Sequence, residues 1–309
     1  MSELEIIRHQ QIDGISVFFD AVEYRTPHFH PEWELIWITE GVLSVQCSQQ
    51  NVSGQPGDLF LFYPNQLHEF RQLEAGATFL CLQVSPLVFR LSCPELQTIA
   101  TESFCASDYL TEKLRAGIRR QMKDLARHYL DRDSFFTLRC TGEAADILCR
   151  LLTVIPTHRM TPEELAHADK RNARLSRFLD YVEQNYSRRL SLSEFAAQEG
   201  CTVSYLSRFL RQNMNQTFQD YVNMVRFHSA CRMIQAGGMR MLDVCEEAGF
   251  SDYRYFSNCF KKQCGLTPEE YSRRAVPPTT AAAPVRRSIS SVERFFSPEE
   301  SDRLLRALP

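Results

Sequence analysis

Two histidines and a carboxylate stand at even spacings near the start of this sequence, as His28, His30 and Glu34. Residues two or four apart on an extended segment project from the same face, so we expect these side chains to lie together. His68 could join them from another hairpin. Three imidazole nitrogens and one carboxylate suit Zn, Fe, Mn or Ni with coordination positions left open, and a metal enzyme requires that arrangement.

The chain around these residues predicts strands. Between residues 17 and 84, short runs rich in β-branched and aromatic residues alternate with glycines and other turn formers. Many short strands at such spacing indicate a sandwich or a barrel, which can enclose a ligand cavity. The predicted strands are 16–19, 33–38, 43–47, 59–62 and 78–82.

The four residues resemble the ligand set of the cupin barrel, and this resemblance covers roughly residues 15 to 85. Gly41 stands where the first cupin motif ends, whereas Val22 replaces the leading glycine of that motif. Gln66 and Gln72 replace the glycine and asparagine of the second motif. The resemblance therefore implies the barrel more strongly than it implies the metal.

Three interpretations of His28, His30, Glu34 and His68 remain open. They could line a metal-free effector pocket, bind a transition metal, or be packed polar residues that hydrogen-bond to one another. The departures from the cupin motifs favour the metal-free pocket. We therefore expect no cofactor, with a transition metal at these four residues as the alternative.

A segment near the C-terminus occurs twice, at an offset of 50 residues. Leu206 and Ser207 in the first copy correspond to Phe256 and Ser257 in the second. Each copy predicts a short apolar helix, a glycine turn and a second helix with one polar face, which is the outline of a helix-turn-helix. The chain should therefore contain two similar binding elements.

Cap and turn residues mark the ends of these helices. Ser191 and Glu194 fit a capping box at the start of the first copy. Gly200 and Gly249 supply the positive φ that a helix C-terminus often needs. Apolar residues at helical spacing after residue 217 predict one helix that joins the two units. Tyr205, on the period of the apolar face, is expected in the core.

Residues 174 to 274 look like the DNA-binding domain of the AraC/XylS family of transcription regulators. The second copy carries the family signature, from Ala248-Gly249-Phe250-Ser251 to Gly265-Leu266-Thr267-Pro268. In this family the second helix of each unit enters the major groove, so the resemblance implies that specific residues contact double-stranded DNA. By position they are Ser204, Ser207 and Arg208 in the first copy and Tyr253, Arg254, Ser257 and Asn258 in the second.

The distribution of charge agrees with this resemblance. Residues 171 to 274 hold 15 Lys and Arg against 11 Asp and Glu, whereas residues 1 to 170 hold 15 against 23. A basic surface neutralises phosphates and gives affinity that depends on salt, while side chains in the major groove read base edges. The C-terminal half is therefore the candidate partner of DNA.

The middle of the chain predicts two amphipathic helices. Leu114, Ile118 and Leu125 belong to one apolar stripe, and Leu148 and Leu151 to another. Such a pair can cap the barrel, but in the family it makes a homodimer, and we expect the dimer. The predicted fold is α+β multidomain, with a cupin-like sensing barrel at 1–105, a helical pair at 106–155, a linker at 156–173, an all-α domain of two helix-turn-helix units at 174–274 and a flexible C-terminal extension at 275–309.

The sequence as a whole predicts a transcription regulator that is controlled by a small molecule in the barrel. The resemblance implies an activator that works with RNA polymerase. No run approaches the ~18 apolar residues of a membrane span, and residues 1–5 are acidic, unlike a secretory signal, so a cytoplasmic location is expected. The alternative is a metal-dependent cupin enzyme fused to a DNA-binding module.

Overall fold

The computed structural model describes residues 12–47, 49–73, 76–274 and 291–309. The chain divides into two compact units. One, here called the helical unit, comprises the described residues from 174 to 292. The other, here called the barrel unit, comprises the described residues up to 173 together with residues 293–309.

The barrel unit is built on an antiparallel sheet that curls into a nearly closed barrel. Its strands run in the spatial order β4-β3-β6-β1-β7-β2-β5. Their bounds are β1 Ile15–His28, β2 Trp33–Glu40, β3 Leu43–Cys47, β4 Gln50–Gly54, β5 Leu59–Phe62, β6 His68–Gln72 and β7 Thr78–Val84. The predicted strands are all present, but β4, β6 and the second half of β1 are additional, because their polar residues hid the apolar alternation that predicts strands.

Strand β2 shows how the sheet positions its side chains. Trp33, Leu35 and Trp37 alternate toward one face and join the core cluster that the helices also enter. Ile36 and Ile38 point the other way, into a cluster formed by strand residues such as Phe60 and Phe70. The placement of Trp33 and Trp37 in the core agrees with the strand period of two. Both faces of the sheet are therefore buried.

Two helices, α1 (Glu112–Asp131) and α2 (Phe136–Val154), follow three short 3-10 turns at Pro86–Phe89, Pro94–Gln97 and Ala106–Tyr109. Their apolar stripes are buried within this one chain: Ile118, Leu125 and Leu151 have no exposed surface, and they pack in the same cluster as Trp33. The apolar stripes of α1 and α2 thus cap the barrel, which the sequence analysis gave as the alternative to a homodimer interface. They do not supply a free surface for a second copy.

The predicted linker at 156–173 contains regular structure. Strand β8 (Ile99–Thr101) pairs with β9 (Thr157–Arg159), and α3 (Pro162–Asn185) contains the boundary between the two units. Thr161 and Glu164 make both bonds of a capping box at the start of α3. Polar composition suggested an irregular linker, whereas the cap and the strand pairing stabilise regular elements there.

The helical unit contains the two predicted helix-turn-helix units. The first is α4 (Leu192–Gln198) and α5 (Val203–Met214), and the second is α7 (Met241–Glu247) and α8 (Tyr253–Cys264). The joining helix, α6 (Phe218–Ala236), begins after the cap Thr217 and ends at Gly237, as its sequence predicts. It is buried on all sides, as expected of a helix between two packed units. A last helix, α9, covers Pro268–Arg274.

The C-terminal extension, predicted to be flexible, contains regular elements, including the short helix that Ser297-Pro298-Glu299-Glu300 indicates. Residues 275–290 lie outside the described residues, but β10 (Val292–Phe295) pairs with β1. Helix α10 (Pro298–Ala307) packs on α1, and Leu305 is buried in the barrel-unit core. Apolar burial and a capping box made by Ser297 and Glu300 stabilise this segment.

Candidate nucleic-acid interface and buried histidine site

The second helix of each helix-turn-helix is fixed at its start by a polar cap. Thr202 accepts a hydrogen bond from the backbone N–H of Tyr205 at the start of α5. Asp252 does the same for Tyr255 at the start of α8. The apolar faces of the two helices are buried through Leu206 and Leu210 and through Phe256 and Phe260. Caps and apolar faces together hold each helix in one orientation.

The remaining face of each helix carries the residues predicted to contact DNA. Ser204 and Arg208 on α5, and Arg254 and Asn258 on α8, are exposed. Members of each pair stand four residues apart, so they are neighbours on one helix face. The other predicted contacts, Ser207, Ser257 and Tyr253, are half-buried.

Arg208 and Arg254 differ from other arginines of this unit. Arg174 and Arg177 both bind the carboxylate of Glu199, at Nε–O distances of 2.9 and 2.6 Å. No hydrogen bond or ion pair joins Arg208 or Arg254 to another residue in the part of the chain that the structure describes. Their guanidinium groups therefore keep their donors available for phosphate or base acceptors.

Two tyrosines make contacts that the sequence did not predict. Tyr205 was expected in the core but is 43% exposed. Arg174 lies over its ring and donates to its hydroxyl oxygen at 2.7 Å. Tyr253 was expected to contact DNA, but its hydroxyl donates to Glu269. Burial and the nearby Glu269 raise the pKa of Tyr253.

Arg226 is a structural residue that sequence reasoning left without a role. From the middle of α6 it donates to the carbonyl oxygens of Tyr186 and Arg188, both at 2.8 Å. These carbonyls follow the end of α3, where backbone acceptors lack helical partners. Arg226 thus ties α6 to the end of α3, and burial lowers its pKa.

In the barrel unit, His28, His30, Glu34 and His68 come together. All four are buried, and one ligand atom from each lies within 4.8 Å of those from the others. They do not share one extended segment, since β1 ends at His28 and β2 begins at Trp33. His28 is on β1, His30 on the connection, Glu34 on β2 and His68 on β6. The pairing of β1 with β6 places His68 opposite His28.

The carboxylate of Glu34 is at the centre of this group. Its Oε2 lies 3.2 Å from His30 Nε2 and 2.8 Å from His68 Nε2. Its Oε1 accepts from Cys81 Sγ at 3.1 Å and from Gln83 Nε2 at 3.0 Å. One oxygen is therefore held by strand β7, and the other faces the histidines.

The three imidazoles differ in electrostatics. Burial and the neighbouring His68 hold the pKa of His28 well below its usual value. Burial would also lower the pKa of His30, but Glu34 and Glu32 outweigh it and raise that pKa to about 9. Burial opposes ionisation of Glu34, whereas His30 and His68 together hold its pKa well below the usual value.

The donor set suits a divalent transition metal. Imidazole nitrogens and a carboxylate oxygen are ligands of Zn, Fe, Mn and Ni. His28 Nδ1 and His68 Nδ1 each lie 2.8 Å from a backbone carbonyl oxygen, of Thr26 and Gln66. Such carbonyl contacts orient metal-ligating histidines in proteins of known mechanism. The residues present therefore fit the group that the barrel resemblance suggests.

Two family models match this chain. A model of the AraC-like ligand binding domain matches residues 9–138, and a model of a helix-turn-helix domain matches residues 195–274. No helix among the described residues is long and apolar enough to cross a membrane.

Some relatives match this chain over most of their length. The chain is 21% identical to the uncharacterized HTH-type transcriptional regulator YdeC of Bacillus subtilis, over 80% of this chain and 85% of that protein. It is 24% identical to the HTH-type transcriptional activator RhaS of Pectobacterium atrosepticum, over 82% of this chain and 92% of that protein. A solved structure of ToxT from Vibrio cholerae matches 85% of this chain and 98% of its own, at 11% identity and a TM-score of 0.40.

Proposed function

Since the chain belongs to the AraC/XylS family of transcription regulators, we propose that its two helix-turn-helix units read two adjacent DNA segments under the control of the barrel. As a member of this family it is a DNA-binding regulator with an N-terminal ligand-binding domain. Beyond this family role, we propose which residues read DNA and how ligand binding in the barrel changes DNA binding.

The observation that carries the proposal is the pair of exposed arginines on duplicated helices. At the 50-residue offset Ser204 corresponds to Arg254, and Arg208 corresponds to Asn258. Arginine donates a bidentate pair to guanine and asparagine pairs with adenine in the major groove. The two units therefore present different base-reading groups, and their two DNA blocks should differ in sequence.

The remaining features of the proposal rest on the family. A small molecule in the barrel would shift the population between DNA-binding arrangements, which requires different affinity for the two states. Activation with RNA polymerase is proposed because RhaS, a relative over most of the chain, is named an activator. A homodimer and action in the cytoplasm complete the proposal; the dimer would need surfaces other than the buried stripes of α1 and α2.

Selection of bound sequences from random duplex DNA by the purified full chain tests this function. We expect two unlike blocks about 34 Å apart, one helical turn of DNA. The double variant R208A/R254A should lose both blocks, whereas R306A, on α10 of the barrel unit, should keep them. No enrichment by the folded wild-type chain would contradict the proposal.

A further inference from the structure

We propose that His28, His30, Glu34 and His68 bind one divalent transition-metal ion inside the barrel. The metal site concerns what the barrel binds, and it rests on the proposed function, in which the barrel controls DNA binding. It differs from the expectation of a metal-free pocket. The sequence already predicted that these residues lie together; the interpretation changes because the structure orients the histidine ring nitrogens around the Glu34 carboxylate.

The orientation of His68 favours a bound cation. Its Nδ1 lies 2.8 Å from the Gln66 carbonyl oxygen, which can only accept, so Nδ1 carries the proton. In a neutral imidazole Nε2 then has a lone pair. That atom lies 2.8 Å from Glu34 Oε2, and in this tautomer neither of the two atoms carries a proton for a hydrogen bond between them. Two electron-rich atoms at this distance are stabilised by a cation between them.

His28 repeats this arrangement on the neighbouring strand. Its Nδ1 faces the Thr26 carbonyl oxygen at 2.8 Å, which fixes the proton on Nδ1 and directs the Nε2 lone pair away from it. The rings of His28 and His68 lie 4.1 Å apart between centroids. Both histidines therefore have the tautomer in which Nε2 is the metal ligand.

Neighbouring groups orient the side chains that would bind the ion. Cys81 Sγ and Gln83 Nε2 both donate to Glu34 Oε1, which leaves Oε2 for the ion. His30 Nδ1 faces Glu32 Oε2 at 3.5 Å. Outer groups of this kind hold metal ligands in place, and losing one typically costs about 10 to 100-fold in metal affinity.

A metal-free cluster explains less of this geometry. His30 Nε2 can donate to Glu34 Oε2 at 3.2 Å, which accounts for one pair. With a neutral His68 it leaves Nε2 and Glu34 Oε2 facing each other at 2.8 Å with no hydrogen between them, and a buried polar atom without a hydrogen bond destabilises the fold. A single cation would satisfy all four inner atoms together.

The test is metal binding by the full chain, freed of metal with a chelator and then titrated with Zn²⁺ and Co²⁺. We expect one equivalent of metal per chain, visible absorption of bound Co²⁺, and a higher melting temperature with Zn²⁺ because the ion binds the folded state. H68Q and E34Q should lose the stoichiometric metal, and Q83L should bind it about 10 to 100-fold more weakly.

His128 provides the matched control. It pairs with Glu143 at 2.9 Å between Nδ1 and Oε1, on α1 and α2 and outside the barrel site. H128Q should therefore bind metal like the wild type. Circular dichroism identifies any variant that fails to fold, and Q83L, which alters no ligand, still tests the site in that case.

Two results would overturn the metal site: a folded wild-type chain that binds no stoichiometric metal, or equal loss of metal in H68Q and H128Q. DNA selection with the metal-free chain separates this inference from the proposed function. DNA binding without metal binding overturns only the metal site, and metal binding without sequence-specific DNA binding overturns only the regulator.

Discussion

Asp20 is a buried carboxyl group beside other acidic groups. It is 3% exposed on β1, and burial raises its pKa well above the usual value, with Glu293 adding to the shift and Arg25 opposing it. Glu34 raises the same pKa further. Arg25 instead pairs with Glu293 at 2.7 Å. Asp20 therefore favours its protonated form in the folded state.

The substitution D20N tests this carboxyl. Because the pKa of Asp20 is raised in the folded state, the folded chain binds more protons than the unfolded chain above about pH 4. The contribution of Asp20 to stability therefore falls as the pH rises through the folded-state pKa. D20N should be more stable than wild type at pH 7, on the order of 1 kcal/mol, with no gain near pH 4. Urea unfolding at both pH values measures this, with D302N on the surface as control. An equal gain in stability at pH 7 and near pH 4 would contradict this prediction.

Arg254 and Asn258 test base reading at single residues. If Arg254 reads a base edge, R254A should weaken binding by about 1–3 kcal/mol and relax the preference at particular positions of one DNA block. N258A should relax neighbouring positions of that block, while R208A acts on the other. Binding to a panel of single-base variants measures this. A uniform loss across all sequences would mean that Arg254 touches only phosphate.

At the scale of elements, the two copies share a helix-turn-helix but use its glycine differently. Gly200 and Gly249 both adopt positive φ. A Cβ at Gly200 would meet nothing within 4 Å, whereas one at Gly249 would lie 2.3 Å from the Tyr186 carbonyl oxygen. The turn of the second copy therefore packs against the end of α3, and Arg226 binds that same carbonyl.

Comparing G200A with G249A separates the cost of a left-handed backbone conformation from the cost of a close approach to neighbouring backbone. G200A should cost about 1–2 kcal/mol, the cost of a left-handed conformation for a residue with a Cβ. G249A should cost several kcal/mol, because the backbone must also move. Helical circular dichroism during urea unfolding gives both values. Equal losses would show that the close approach to Tyr186 does not matter.

Element ends were largely predictable where a side chain caps them. Thr217 and Thr267 start their helices as expected. The capping box at Ser191 is half formed, since Ser191 accepts from Glu194 N–H but the Glu194 carboxylate binds Arg188 instead. Thr161-Pro162-Glu163-Glu164 repeats the tetrapeptide that begins at Thr267. The same helix-start sequence therefore precedes α3, and the linker prediction did not take it into account.

At the scale of the whole molecule, the chain returns to the barrel unit after the helical unit. Residues 293–309 supply β10, the Arg25–Glu293 ion pair and the buried Leu305. Phe295 packs its ring edge against Phe18, with centroids 5.3 Å apart. The C-terminal segment is therefore a structural part of the barrel unit.

The substitution L305A tests this role. Leu305 is 2% exposed, so its truncation should cost about 2–5 kcal/mol. The two tryptophans of the sequence, Trp33 and Trp37, both lie in the barrel-unit core, so tryptophan fluorescence follows that unit. We expect a lower unfolding midpoint for L305A and no change for R303A on the exposed side of α10. An unchanged midpoint for L305A would mean that α10 does not support the barrel.

The sequence by itself determined the duplicated helices, their caps, the joining helix and the family, because these depend on local periodicity and on motifs that are contiguous in the chain. Tertiary structure decided the geometry of the buried histidine site and the packing of the C-terminal segment. His68 meets His28 only because β6 pairs with β1, and Glu34 faces both through β2. Leu305 joins the barrel core although residues 174–292 intervene. Strand pairing and long-range burial join residues far apart in sequence, which local periodicity does not encode.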